Sequence, residues 1–277
     1  FLSHDSTSEI VASGDVDFVC FTGSVAGGQR MEQAAAGTFL GLGLELGGKD
    51  PAYVRADADL PYSIEQLVDG AFFNSGQSCC GIERIYVHES HYDAFVEGFT
   101  KLVTTYQLGS PLDASTTLGP VVKPGAANWV RQQIRDAVAA GAKACIDTST
   151  FTLDDGKGAY LAPQVLVDVD HSMSVMREES FGPVVGIMKV KDDAQALALM
   201  NDSDLGLTAS IWTKDENAAA TLGDQLQTGT VFMNRCDYLD PALAWTGVKN
   251  TGRGETLSDL GYHQLTRAKS FNFKTSL

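Results

Sequence analysis

The sequence predicts an α/β protein built on parallel sheets, and three observations predict it. Residues 16–21 read as a short apolar strand, Thr22-Gly23-Ser24 breaks it, and residues 25–36 then carry helical spacing. Helix and strand patterns keep alternating downstream, around residues 129–146 and again up to residue 234, which argues for a second parallel sheet. At 277 residues the chain can bury a sizeable core, as one large domain or two smaller ones.

In chain order, the helix at residues 25–36 is expected to open at Gly27-Gly28. The spacing from Gly23 to Gly28 fits an ordinary turn. It also fits an anion site, because a helix N-terminus points free N–H groups and a positive dipole end outward. Residues 40–49 alternate leucine with small or polar residues and read as a strand with one leucine face. Glu45 falls on the opposite face, just before Gly47-Gly48, either as a solvated strand-end carboxylate or as a working acid. Ile64, Leu67, Val68, Ala71 and Phe72 form a helical stripe that runs into Asn74-Ser75-Gly76, which can end a helix. Cys79-Cys80 follows, and residues 84–87 read as a strand. A side chain on such a junction is held at the edge of a core and can still face a cleft, where a nucleophile is useful. The alternative is a pair of small buried thiols.

Tyr92, Phe95, Val96, Phe99, Leu102 and Val103 form a core stripe, and a second helix starts after Lys123-Pro124-Gly125. Strands are expected at residues 143–146, 185–190, 207–212 and 230–234, with a loop opening at Asn201 and a helix at 216–226. Residues 247–255 make a glycine-broken return loop. Residues 266–274 alternate like a terminal strand, which is a sheet edge open to pairing.

The charge balance, 20 − 35 = −15, repels phosphate backbones and argues against nucleic acid as a partner. No uninterrupted apolar run spans a bilayer, so no membrane role is expected. The opening residues show no secretory signal, and the absence of an initial Met reads as the interior of a longer protein. Five cysteines in irregular spacing suit reduced thiols in a cytoplasmic enzyme better than a disulfide framework. No Cys-x-x-Cys, His-x-x-x-His or carboxylate-rich loop is present, so no metal is expected.

Four further strings carry a resemblance. Gly76-Gln77-Ser78-Cys79, with Arg84 five residues on, resembles the catalytic cysteine signature of the aldehyde dehydrogenase superfamily. Phe21-Thr22-Gly23-Ser24 is similar to that family's cofactor-phosphate segment, Glu45-Leu46-Gly47-Gly48-Lys49 to its general-base signature, and Glu178-Glu179-Ser180-Phe181-Gly182-Pro183 to a third segment. The strand ending in Asn234 is also as in the family. The resemblance implies an aldehyde-dehydrogenase-like α/β fold: a parallel-sheet catalytic domain plus a partial Rossmann-type cofactor domain. Residues 1–46 would be the remnant of the NAD(P)-binding domain, 47–249 the catalytic domain, and 250–277 the return segment and C-terminal oligomerisation strand.

By the same resemblance Cys79 is the nucleophile and Glu45 the general base that activates water. Gly23 and Ser24 contact the pyrophosphate of NAD or NADP, Leu46 and Gly47 lie beside the nicotinamide, Glu179 holds its ribose, and Phe181 packs there. Tyr238 and Trp245 are candidates for an aromatic wall at the aldehyde entrance, or for ordinary packing. Family members place a Glu where this chain has Thr256. The implied activity is oxidation of an aldehyde through a Cys79 thiohemiacetal and thioester. The implied assembly is a homo-oligomer through the tail. The family's earlier half, with one oxyanion donor and most of the cofactor sheet, is not in the sequence, so these 277 residues alone are expected to turn over little. Two other readings stay open: a cofactor-independent thiol esterase or acyl-transferase, and an inactive domain that only assembles.

Overall fold

The computed structural model describes residues 2–276, which divide into two compact units. The smaller holds residues through 46, together with Leu239–Thr246 and residues from 252 on; the larger holds Gly47–Tyr238 and Gly247–Thr251.

In the smaller unit, helix His4–Ser13 is capped by the Ser3 hydroxyl, which accepts the Ser6 N–H at 3.1 Å. Strands Phe18–Thr22 and Gly41–Glu45 pair in parallel, with Thr22 opposite Glu45, and helix Val25–Ala35 connects them. That helix opens two residues earlier than Gly27-Gly28 suggests, because the Ser24 hydroxyl accepts the Gly27 N–H at 3.1 Å and so serves as the cap. Gly252–Arg253 adds an antiparallel edge, and helix Ser258–Gln264 follows. Val11, Met31, Leu42, Leu44 and Leu46 form the core, which is where the leucine face of the 40–46 stretch goes. Among the described residues, 266–276 make no strand ladder within this chain. The expected terminal strand therefore finds no partner here.

The larger unit is a seven-stranded sheet in the order Thr230–Met233, Thr208–Trp212, Asp50–Val54, Ile82–His88, Val184–Val190, Gln164–Val167, Lys143–Ala144. Every pairing is parallel except the last, so the strand expected at 143–146 is a two-residue antiparallel edge. Period-two alternation assigns the two faces. Ala52, Val54, Ile85 and Val87 pack with Leu67, Phe72, Phe95 and Phe99 of helices Leu60–Phe72 and Tyr92–Val103. Tyr53, Tyr86 and Ile211 pack instead with Ala196, Met200 and Leu222 of helices Asp193–Asn201 and Glu216–Gly223.

The strand read at 40–49 is shorter than expected, ending at Glu45, and a further strand that the sequence reading did not anticipate begins at Asp50. Gly41–Glu45 belongs to the smaller sheet and Asp50–Val54 to the larger, and Gly47-Gly48 separates them. A proline argues against a central strand, but Pro51 sits at a register irregularity between Asp50 and Pro51, where the lost N–H is tolerated. Among the described residues no helix is long and apolar enough to cross a membrane.

Candidate active site

Helix Leu60–Phe72 delivers the chain to the thiol pair through a left-handed turn. Asn74, Ser75 and Gly76 have φ of 50°, 58° and 71°. L residues resist this region, at about 1–2 kcal/mol each, so the turn must be held from outside. The Asn74 amide donates to the Gln77 carbonyl and the Gln77 amide to the Asn74 carbonyl, both at 3.0 Å. The Ser75 hydroxyl donates to the Gly119 carbonyl at 2.7 Å, and the Gln77 side-chain oxygen accepts the Val122 N–H at 2.7 Å. Gln77 of the cysteine motif is thus a clamp on the loop that carries Cys79.

The two cysteines of the pair differ. Cys79 is partly exposed, whereas Cys80 is buried. The Cys80 thiol donates to Asp237 Oδ1 at 2.8 Å, and the Ser78 hydroxyl donates to the same oxygen at 3.0 Å. Its hydrogen bond with Cys79, burial, and Asp237 all push the Cys80 pKa upward. Cys236 is pushed up to about 12 by burial and by the charges of Asp237, Asp69 and Asp50. Cys80 and Cys236 are therefore held as thiols, and neither suits a nucleophile.

The Gly47-Gly48 turn meets this loop. A Cβ on Gly48 would collide with the Cys79 carbonyl oxygen, and one on Gly47 would occupy the place of the Glu179 carboxylate. Glycine is therefore required at both positions by close approach. The Gly48 N–H donates to Glu179 Oε1 at 3.0 Å. Burial, then the charge of Glu83, raises the Glu179 pKa to about 7. Phe181 lies two residues on, 40% exposed and with φ of 48°. The larger unit thus gathers Cys79, Gly47 and Glu179 around one turn.

Sequence reasoning missed the polar core beneath it. Lys49, with a fully buried side chain, is paired with Glu83 and donates to the Ser180 hydroxyl at 3.1 Å. Glu83 in turn accepts the Ser180 N–H at 2.8 Å and the Phe181 N–H at 2.9 Å. Asp50 is also buried, with Oδ2 accepting the Thr208 N–H at 3.1 Å. A signal was present: Glu83 and Arg84 interrupt an otherwise apolar strand, and charges in a buried strand need partners.

In the smaller unit Glu45 ends strand Gly41–Glu45, and its carbonyl accepts the Gly23 N–H at 3.1 Å. The Thr256 hydroxyl donates to Glu45 Oε1 at 3.3 Å, and the Trp245 side chain also hydrogen-bonds the carboxylate. Burial raises the Glu45 pKa and these two bonds oppose the rise. A cleft of about 830 Å³ within this unit is lined by Cys20, Phe21, Thr22, Glu45, Thr256 and Tyr262, among others.

With this geometry in view, the sequence pattern described as the aldehyde dehydrogenase family matches residues 3–271. The chain belongs to the aldehyde dehydrogenase family. The NAD(P)+ succinate semialdehyde dehydrogenase Sad of Escherichia coli strain K12 is 35% identical over 261 residues, covering 94% of this chain and 56% of that protein. Human retinal dehydrogenase 2 is 35% identical over 260 residues, covering 94% of this chain and 50% of its own length. The crystal structure of betaine aldehyde dehydrogenase from Staphylococcus aureus in complex with NAD+ superposes with a TM-score of 0.87 at 31% identity, covering 93% of this chain and 52% of that one. The chain spans about half the length of the curated relatives it matches.

Within this member of the family, Cys79, Gly47, Glu179, Phe181 and Tyr238 fall in the larger unit. Gly23, Ser24, Glu45, Leu46 and Trp245 fall in the smaller. Tyr238 is exposed and the Arg235 guanidinium lies 3.6 Å from its ring centre. Trp245 is buried, and its backbone N–H donates to the Thr256 carbonyl at 2.7 Å.

Proposed function

We propose that this chain supplies the nucleophile and general base for NAD(P)-dependent oxidation of an aldehyde to a carboxylic acid. One observation carries the reading: the Cys79 loop and the Glu179 carboxylate close on the same Gly47-Gly48 turn.

The residues fit a bound dinucleotide. Gly47 has no side chain, which leaves the Glu179 carboxylate a place at the turn to take ribose hydroxyls, with Phe181 exposed beside it in sequence. Gly23 and Ser24 open helix Val25–Ala35, whose N-terminus suits a pyrophosphate. A bound NAD(P)+ would supply the hydride acceptor. The Cys79 thiolate forms a bond to the carbonyl carbon, and the carbonyl electron pair moves to oxygen, where the Cys79 N–H can donate to it. After oxidation a thioester remains on Cys79. Glu45 then removes a proton from an attacking water, the C–S bond breaks, and the acid leaves. Burial of Glu45 raises its pKa, the direction a base working near neutrality requires.

Alkylation by iodoacetamide, followed by peptide mapping, tests the nucleophile. Accessibility alone favours Cys20, the one exposed cysteine, whereas a nucleophilic role requires Cys79 to react first. Cys79 is expected to be labelled first. Labelling of Cys20 with Cys79 left intact would remove Cys79 from the role.

Among the described residues the smaller unit has three strands, so the 277-residue chain alone is expected to form little aldehyde-dependent NADH; robust turnover would refute this. Residues 266–276 are proposed to pair with a second copy, since they are exposed and unladdered in this chain. Five cysteines without a disulfide suit a reducing compartment such as the cytoplasm.

A further inference from the structure

The buried pair Lys49–Glu83 has no part in the chemistry above, yet it sits under the residues assigned to the cofactor. Glu83 lies on strand Ile82–His88 and accepts two consecutive backbone N–H groups, those of Ser180 and Phe181. Phe181 holds a left-handed φ of 48°, a conformation that persists in a non-glycine residue only when its surroundings impose it. From the other side, the Trp129 indole N–H donates to the Glu179 carbonyl at 3.0 Å, and the Gln133 amide donates to the Glu178 carbonyl at 3.2 Å. The segment 178–181 is therefore fixed at four successive residues. Lys49 donates to both Glu83 and the Ser180 hydroxyl, so the anion that pins the backbone is matched by a cation in the same buried space.

We propose that Glu83 and Lys49 are positioning residues for the cofactor-ribose carboxylate: Glu83 fixes the backbone that carries Glu179 and Phe181, and Lys49 balances its charge. This rests on the assignment of Glu179 to the ribose. The two members act on Glu179 with opposite sign. The Glu83 charge pushes the Glu179 carboxyl upward and the Lys49 charge pulls it down, with Glu83 the stronger; the other group at the carboxylate is the Gly48 N–H, which favours the anion.

The test is a titration of the Glu179 side-chain carboxyl by NMR in the 277-residue chain labelled with 13C-glutamate, the signal being assigned by its loss in Glu179→Gln. In Glu83→Gln the midpoint is expected to fall from about 7 toward the ordinary carboxylate range, and the Ser180 and Phe181 amides to exchange faster with solvent. In Lys49→Met the midpoint is expected to rise while those amides stay protected, because Glu83 still accepts them. Folded variants whose midpoints do not move, or move in the same direction, would overturn the proposal. Two charge-preserving variants cover the case in which a lone buried charge prevents folding. Lys49→Arg should leave the midpoint in place. Glu83→Asp, too short for both amides, should unprotect Phe181 while the midpoint stays high; protection retained in that variant would also overturn the proposal. No dinucleotide is present in these measurements. If Glu179 were not a ribose ligand, the opposite shifts would remain, so the two readings fail separately.

Discussion

The Glu179 carboxyl titrates near 7 because burial, and then the Glu83 charge, disfavours its anion. An acid whose pKa is raised on folding binds its proton more tightly in the folded state. Its contribution to stability is complete below its unfolded value, 4.5, and is lost as pH rises through about 7. The difference corresponds to roughly 3 kcal/mol. Glu179→Gln removes this dependence. Relative to wild type it should gain stability between pH 5 and pH 8 by an amount of that order, read from urea melts at the two pH values. A constant difference between the proteins would mean that Glu179 does not titrate in this range. Glu45 is governed by the same physics with other partners. The Thr256 hydroxyl opposes the rise caused by burial, so Thr256→Val should move the Glu45 midpoint further up. A midpoint that falls in that variant would show that the hydroxyl does not favour the anion. The Thr256 hydroxyl thus helps hold the Glu45 carboxylate.

The turn between helix Leu60–Phe72 and strand Ile82–His88 is the element on which the thiol depends. Gly76 has φ of 71°, and a Cβ there would run into the Gly182 carbonyl. Gly76→Ala must therefore shift backbone against backbone, and a loss of about 2 kcal/mol or more is expected, with slower alkylation of Cys79. Gln77→Ala leaves the conformation accessible but removes three hydrogen bonds, to Asn74, Val122 and the weaker one to Pro120. It should cost about 1–2 kcal/mol in thermal or urea melts and slow labelling of Cys79 relative to Cys20. Unchanged labelling selectivity in both variants would show that the turn does not position the thiol. Much of this element was legible in the sequence: the stripe ending at Phe72, the helix stop at Asn74-Ser75-Gly76 and the strand after it lie where the periodicity put them. What periodicity could not show was partnership across the chain. Glu83 finds Lys49 34 residues away and the Ser180 amide 97 residues away, and no local pattern encodes such a meeting. The strand through Pro51 was not legible for a related reason. The proline's missing N–H argues against a strand unless a bulge absorbs it, and the bulge is a property of the pairing with strand Ile82–His88.

At the scale of the molecule, the proposed pairing of residues 266–276 with a second copy has to be made by a chain of net charge −15. The charge is unevenly placed. Residues 266–276 carry Arg267, Lys269 and Lys274 and no acid, so the remainder bears −15 − 3 = −18. A cationic exposed segment on an anionic body favours contact between copies, but each exposed ion pair is worth only about 0–1 kcal/mol and is screened by salt. The same segment exposes Phe271 and Phe273, whose rings stack at 5.8 Å, and burying one such ring contributes about 1.5–3 kcal/mol. An extended segment that joins a sheet edge also gains backbone hydrogen bonds. Apolar burial and the ladder should therefore outweigh charge. By sedimentation velocity at about 0.15 M salt, where charges are screened beyond about 8 Å, Lys269→Gln with Lys274→Gln should leave association nearly intact. Phe271→Ser with Phe273→Ser should weaken it strongly. Asn272→Pro, which removes one N–H and leaves both rings, should weaken it as well, because a proline inside a strand costs a ladder hydrogen bond unless a bulge absorbs it. If the lysine variant dissociates while the phenylalanine and proline variants stay assembled, the contact is electrostatic and the tail is not a strand added to a second copy.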